Sequence, residues 1–377
     1  MLIPIDGLGG GAGRRVLVIG AGVAGLTSAL CLRRRGFEVT VVADRFAPVV
    51  TSIVAGALWE WPPAVCGHHQ DQVSLARSKG WAATSYDVFA DLAGDPATGV
   101  FLRPASFYTK RPIEEDPKQH AKVQELAGKV RQFRHDPALI AENGVNPGLG
   151  LRDAYTYLAP MIDTDAYMSW LLDRARADGC TILERKIVGP LRGQAEALAR
   201  EYAAEAIVNC SGLGAMELAE DPMSPLRGAL IRLRNDGRAM PRLTQAHCIS
   251  HDNASDEQGF LFIVPRGDDM VVLGGFAEPD EWDLDIGLHN YEPIRAMYRR
   301  CVEFLPVLAD AEIDAAEPVR VGLRPFRPRN VRLEREPGCR IVHNYGHGGS
   351  GVTFSWGCAL EVAERVDQLL AKSGSFS

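Results

Sequence analysis

The segment Arg15-Val-Leu-Val-Ile19 passes without a break into Gly20-Ala-Gly22-Val-Ala-Gly25, and this junction constrains the fold more than any other part of the chain. The first five residues are mostly apolar and β-branched, the character of a strand buried on both faces. Residues 26–35 then read as helix with no breaker, and Gly36 stands where a helix ends. A second strand, Glu38-Val-Thr-Val-Val42, runs into Ala43-Asp44-Arg45. Strand, glycine turn, helix and strand within about thirty residues make a βαβ unit. Glycine triplets alone are common, but between a strand and a helix, with an acid ending the next strand, they form a dinucleotide fingerprint. Gly20 permits the tight turn, Gly22 lets a pyrophosphate reach the backbone, Gly25 lets helix pack on strand, and the helix N-terminus faces the phosphates. Asp44 is then placed to accept from the adenosine ribose. This fingerprint does not separate FAD from NAD.

The same stretch also mimics a signal peptide or membrane helix, since Arg14-Arg15 precede it and Arg33-Arg34-Arg35 follow. Three internal glycines, the lack of an Ala-x-Ala cleavage pattern and arginines on both flanks argue against that reading. The 377 residues carry a net charge of −7, which excludes a global basic field for nucleic acid or anionic lipid. Eight scattered cysteines form neither a zinc framework nor a disulfide scaffold. The expectation is a cytoplasmic enzyme with a flexible tail over residues 1–13, no metal, and neither nucleic acid nor membrane as partner.

Along the rest of the chain, helices are predicted over residues 73–93, 163–178, 291–304 and 357–370. Strands are predicted over 181–183, 206–209, 226–233, 260–264, 270–274, 319–322 and 340–344. Residues 94–118 contain several prolines among strand-like pieces such as Val100-Phe-Leu and Ser106-Phe-Tyr. The predicted fold class is mixed α/β. A Rossmann-like dinucleotide-binding domain (14–60, 155–215 and 320–377) interleaves with a substrate domain on a mainly antiparallel sheet (61–154 and 216–319).

Near the C-terminus, His343-Asn-Tyr-Gly-His-Gly-Gly349-Ser-Gly351-Val-Thr353 packs glycines between a strand and a helix. Such a turn supplies a second set of backbone N–H groups at a helix N-terminus, suited to the N1–O2 side of a flavin. A nicotinamide enzyme has no need of it. With Val54-Ala-Gly-Ala-Leu-Trp59, Val208-Asn-Cys-Ser-Gly212 and Gly322-Leu-Arg-Pro325, the chain resembles the D-amino-acid oxidase family, close to the glycine oxidases.

The resemblance implies non-covalent FAD. Gly20, Gly22, Val23 and Ala24 would meet its pyrophosphate, and Asp44 and Arg45 the adenosine. Thr51 and Ser52 would follow the phosphate and ribityl path, with Ala55 and Ala57 against the flavin ring. Ile187, Ser211 and Gly212 would enclose the adenine side, and Gly348, Ser350, Gly351, Val352 and Thr353 the pyrimidine end. Arg324 would fork the carboxylate of a small amino acid, and the Gly349 carbonyl would accept from its amine. The reaction implied is hydride loss from the α-carbon to flavin N5, with the imine hydrolysed and O2 reduced to H2O2. Homodimerisation stays open. An FAD dehydrogenase with another acceptor, and a catalytically silent flavin protein, are the competing readings.

Departures bear on the substrate. Phe262 stands where the family carries a tyrosine that assists the carboxylate, Gln258 where some members carry another, and Val54-Ala-Gly-Ala57 transposes the family's Ala-Ala-Gly. Trp59, Trp61, Ile249 and Phe262 suggest an enlarged apolar pocket. Arginines 227, 232, 234 and 242 are candidates for a second carboxylate. His343 and His347 are expected to be structural, and His68, His69, His247 and His251 not to bind metal.

Overall fold

The computed structural model describes residues 13–62, 71–250 and 259–373. His68, His69, His251 and Gln258 lie outside them. Strand β1 (Arg15–Ile19), helix α1 (Val23–Arg34) and strand β2 (Glu38–Ala43) form the expected unit, with β1 and β2 parallel. They belong to a six-stranded sheet with the spatial order Arg332–Arg335, Ile341–Tyr345, Ala206–Asn209, β1, β2, Thr181–Glu184. All neighbours are parallel except the first pair.

Alternation explains why β1 is apolar throughout. Val16 and Val18 join the core beneath α1, while Leu17 and Ile19 pack on the other face with Leu191, Ala195 and Leu198 of the helix Leu191–Glu201. On the α1 side, helices Gln72–Leu92, Thr164–Ala177 and Gly351–Ser373 complete the layer. The closing helix starts at Gly351, six residues before its predicted start, because its glycines read as turn signals. One of them, Gly357, is pressed against the backbone of Trp81, where a side chain would not fit.

The second sheet has nine strands. Its order is Glu278–Pro279, Ser224–Arg234, Met270–Gly274, Leu261–Arg266, Ala246–Ile249, Val100–Thr109, Asp153–Ile162, Arg131–His135, with Val319–Phe326 on the other side of Ser224–Arg234. Pairing is antiparallel except between Val100–Thr109 and Ala246–Ile249. The helix Glu292–Phe304 covers one face through Ile294, Met297, Cys301 and Phe304.

Two segments cross the expected domain division. Residues 155–162 and 320–326, predicted in the dinucleotide-binding domain, are strands of the second sheet. Helix Gln72–Leu92, predicted in the substrate domain, packs on the closing helix of the first. The prolines hid Val100–Thr109 as one long strand, and Asp153–Ile162 is a second long strand that the sequence reading did not predict. Pro104 and Pro160 each lie just past the end of one neighbouring ladder, so the missing N–H leaves no partner unsatisfied there.

Candidate active site

A cavity of about 1140 Å³ runs between the two sheets. Ordinary small-molecule pockets reach roughly 300–1,000 Å³, so this one has room for a dinucleotide and a small substrate together.

The β1–α1 turn closes one end. Gly20 has φ +110°, and a Cβ on Gly25 would lie 1.9 Å from the Gly20 carbonyl oxygen, so the turn forms only with glycine. Gly22 is the N-cap of α1 and supplies no side-chain cap, and the Val23 N–H donates to Ser52 Oγ at 2.9 Å. Gly20, Gly22, Val23, Ala24, Asp44, Arg45, Thr51, Ser52, Ile187, Ser211 and Gly212 all line this part of the cavity. The Ser211 hydroxyl is buried there with no hydrogen-bond partner among the described residues, a group that a ligand would satisfy.

The helix Gly351–Ser373 opens on the same cavity, with Gly348, Gly349, Gly351 and Val352 in its lining. Ser350 and Thr353 are buried but lie outside the lining. His347 is held neutral by burial, its pKa pushed down to about 4, and its Nε2 lies 3.1 Å from Asn344 Oδ1. His343, also pushed down to about 4 by burial, pairs with Glu336.

Between these ends lies the strap 51–58, where the transposed glycine has a physical reason. A Cβ at Gly56 would sit 2.7 Å from the Phe262 ring, so residue 56 must be small where residue 262 is aromatic. The left-handed turn then falls on Ala57, at φ +52°, which costs roughly 1–2 kcal/mol in a residue with a Cβ. Ala57→Gly is therefore expected to raise stability by about 1 kcal/mol in thermal or denaturant unfolding. Gly56→Ala should displace the ring and lower stability.

The second sheet supplies the rest. Arg324 projects from Val319–Phe326, and its guanidinium lies over Gly228 of the next strand. It donates to the carbonyls of Arg227 and Phe276, at 3.4 and 3.3 Å. Among the described residues no carboxylate pairs with it, and desolvation alone pushes its pKa down to about 10. A buried cation facing a cavity without a counter-ion is suited to an anionic ligand. Ile249, Phe260, Phe262, Trp282 and Leu284 give apolar walls.

Trp59 is a correction. It is 1% exposed and turned away from the cavity, donating from Nε1 to the Ala82 carbonyl and packing on Trp61, Tyr86 and Tyr157. The segment is extended, with a bridge from Leu58 to Met161, so alternate residues face opposite ways. Leu58 and Glu60 line the cavity, and Trp59 and Trp61 enter the core. Glu60 was missed, although the alternation was visible in the sequence. The four candidate arginines are also engaged elsewhere. Arg227 is chelated by Glu278, Arg232 and Arg234 pair with Asp314, and Arg242 donates to the Asn235 carbonyl.

Two glycine-opened helix N-termini, a long cavity between a mostly parallel and a mainly antiparallel sheet, and a buried arginine at its wall suit a dinucleotide-dependent enzyme of two interleaved lobes. Residues 15–365 match the family described as FAD dependent oxidoreductase (DAO), and the chain belongs to that family. The D-amino-acid oxidase of Rubrobacter xylanophilus is 38% identical over 361 residues, which are 95% of this chain and 97% of that one. The human D-aspartate oxidase is 31% identical, over 94% and 95% of the two chains. The glycine oxidase of Bacillus cereus superposes with a TM-score of 0.73 at 18% identity, covering 95% of each chain. The protein is thus FAD-dependent, and the closed glycine turn, the orphan Ser211 hydroxyl and the two helix N-termini fit that group.

Proposed function

We propose that the protein is an amino acid oxidase that takes hydride from the α-carbon of a D-amino acid or an N-substituted glycine. The observation that carries this reading is Arg324, a desolvated guanidinium with no carboxylate partner among the described residues, at the wall of the FAD-sized cavity. Its planar fork holds the substrate carboxylate through two hydrogen bonds and so sets where the α-carbon sits. The Gly349 carbonyl, in the turn across the cavity, accepts from the amine. Phe262, Ile249 and Leu230 shed water from the reacting carbon. Bound FAD supplies the hydride acceptor. The chemistry asks little more of side chains than orientation and a dry, positive site. The curated names of the relatives, oxidases of D-amino acids and D-aspartate, support the reading.

O2 is the proposed electron acceptor and H2O2 the product. The seven described cysteines are all free thiols, which supports placement in the reducing cytoplasm. No described helix is long and apolar enough to cross a membrane.

The test is anaerobic bleaching of the purified yellow protein, followed by peroxide release in air, with D-alanine, glycine, sarcosine and a long N-alkylglycine. Bulkier or N-substituted substrates are expected to outperform glycine and D-alanine, because Phe262 offers no hydroxyl to the carboxylate. Bleaching without peroxide would show a dehydrogenase, and no bleaching with any amino acid would reject the reading. Acid precipitation is expected to release the flavin, since it is held without a covalent bond.

A further inference from the structure

We propose that Arg266 is a positioning residue: through the Ala55 carbonyl it holds the strap 51–58 at the depth where the flavin ring meets the substrate α-carbon. This rests on the reading that FAD lies along the strap and that Arg324 holds the substrate carboxylate.

Arg266 ends the strand Leu261–Arg266 and is 3% exposed. Its Nη2 donates to the carbonyl of Ala55, a residue of the cavity wall. Its Nε and Nη1 have no hydrogen-bond partner among the described residues, and Asp163 and Asp165 act on its charge only through space. A guanidinium buried with two idle nitrogens costs stability that an apolar side chain would not. Its directional bonding is therefore spent on the strap.

The strap needs such a hold. Ala57 keeps a left-handed conformation at φ +52°, and strain of this kind persists only where the surroundings impose it. Every residue from 53 to 57 meets a constraint. The Ile53 carbonyl accepts from Thr164 Oγ1 at 2.7 Å and from Arg320 Nη1 at 3.3 Å. Val54 is pressed on Gly322, where an added Cβ would lie 2.9 Å from the valine side chain. Gly56 meets the Phe262 ring, and the Ala57 carbonyl accepts from the Ile162 N–H at 3.0 Å. Ala55 is held by Arg266.

Strand alternation ties this clamp to the substrate anchor. Arg320, Gly322 and Arg324 share one face of Val319–Phe326, and Phe262 and Arg266 share one face of Leu261–Arg266. The strand that carries the carboxylate anchor thus also grips the strap, at Ile53 and Val54. Arg266 adds the hold at Ala55, so strap and anchor keep a fixed separation. An error of about 1 Å in such a separation can cost on the order of 10²-fold in rate.

Arg266→Met and Arg266→Lys are compared with the wild-type holoenzyme on the best substrate of the panel above. Lysine still offers an N–H to the Ala55 carbonyl, and methionine offers none. The quantities read are the anaerobic bleaching rate at saturating substrate, the substrate concentration for half that rate, and hydrogen exchange of the peptide 51–58. Arg266→Met should bleach about 10-fold or more slowly, with the half-saturating concentration within about threefold because Arg324 is intact. Its strap amides should exchange about 10-fold faster, and Arg266→Lys should restore both. Flavin loss in Arg266→Met that Arg266→Lys repairs supports the same role. A wild-type bleaching rate in Arg266→Met overturns the proposal, as does slower bleaching without faster exchange or without rescue by lysine. Failure of both variants to fold or to hold flavin overturns it too, since the arginine then serves the fold. Full activity of Arg324→Leu would sink the underlying reading, whereas an inactive Arg324→Leu beside a normal Arg266→Met sinks the positioning role alone.

Discussion

Arg324→Leu is expected to lower kcat/KM on carboxylate substrates by roughly 10²- to 10⁴-fold, because removing one partner of a desolvated ion pair costs about 3–5 kcal/mol. Among the described residues the guanidinium has no carboxylate partner and donates to two carbonyls at 3.3 and 3.4 Å, and burial has already lowered its pKa. Its charge is therefore uncompensated until a substrate arrives. This sets a second expectation: the unfolding temperature of the substrate-free variant should hold or rise, since an unpaired cation has left a desolvated site. A structural arginine would behave in the opposite way, lowering stability and leaving kcat/KM largely intact. Arg324→Lys should recover only part of the activity, because an ammonium lacks the planar fork. Unchanged kcat/KM in the leucine variant would remove Arg324 from the site.

Gly25→Ala should yield a colourless protein. The added Cβ would lie 1.9 Å from the Gly20 carbonyl oxygen, well inside any possible contact. The turn must then open, or α1 must lift from β1, and either movement would withdraw the N–H groups proposed to meet the pyrophosphate. The expected losses are most of the bound flavin and upward of about 3 kcal/mol of stability, at the high end for overpacking. The flavin-to-protein absorbance ratio and an unfolding curve measure them. Gly80→Ala is the control. That residue sits inside the helix Gln72–Leu92 with nothing within 4 Å of an added Cβ, so the change should stabilise by roughly 0.5–1 kcal/mol. A yellow, normally stable Gly25→Ala protein would contradict the geometry of the turn.

Much of the FAD side was legible because its signals are local. A strand, a glycine turn, a helix and an acid at the end of the next strand are four neighbouring patterns, and Gly20, Gly22, Val23, Ala24 and Asp44, drawn from them, line one cavity. The helix Thr164–Ala177 was legible for the same reason, with Asp163 as its cap and Tyr167, Leu171 and Ala175 on one face. The substrate side was harder to read. Trp59 looked like pocket wall because aromatic residues often are, but a half-period of extended chain turned it into the core and gave the cavity Glu60. Pro104, among the prolines that broke up residues 94–118, proved to be strand interior, because it sits where one neighbouring strand has ended.

What the sequence by itself determined is the dinucleotide-binding βαβ unit, the second glycine turn at a helix N-terminus, and the residue, Arg324, that could hold a carboxylate. Only the tertiary structure decided which sheet the segments 155–162 and 320–326 join, that Gly56 is small because the Phe262 ring occupies its space, and that Glu60 faces Arg324's cavity. The physical reason is range. Helix caps, tight turns and alternation act over a few residues and leave marks in the sequence, whereas strand partners and cavity walls are chosen by packing between segments up to hundreds of residues apart.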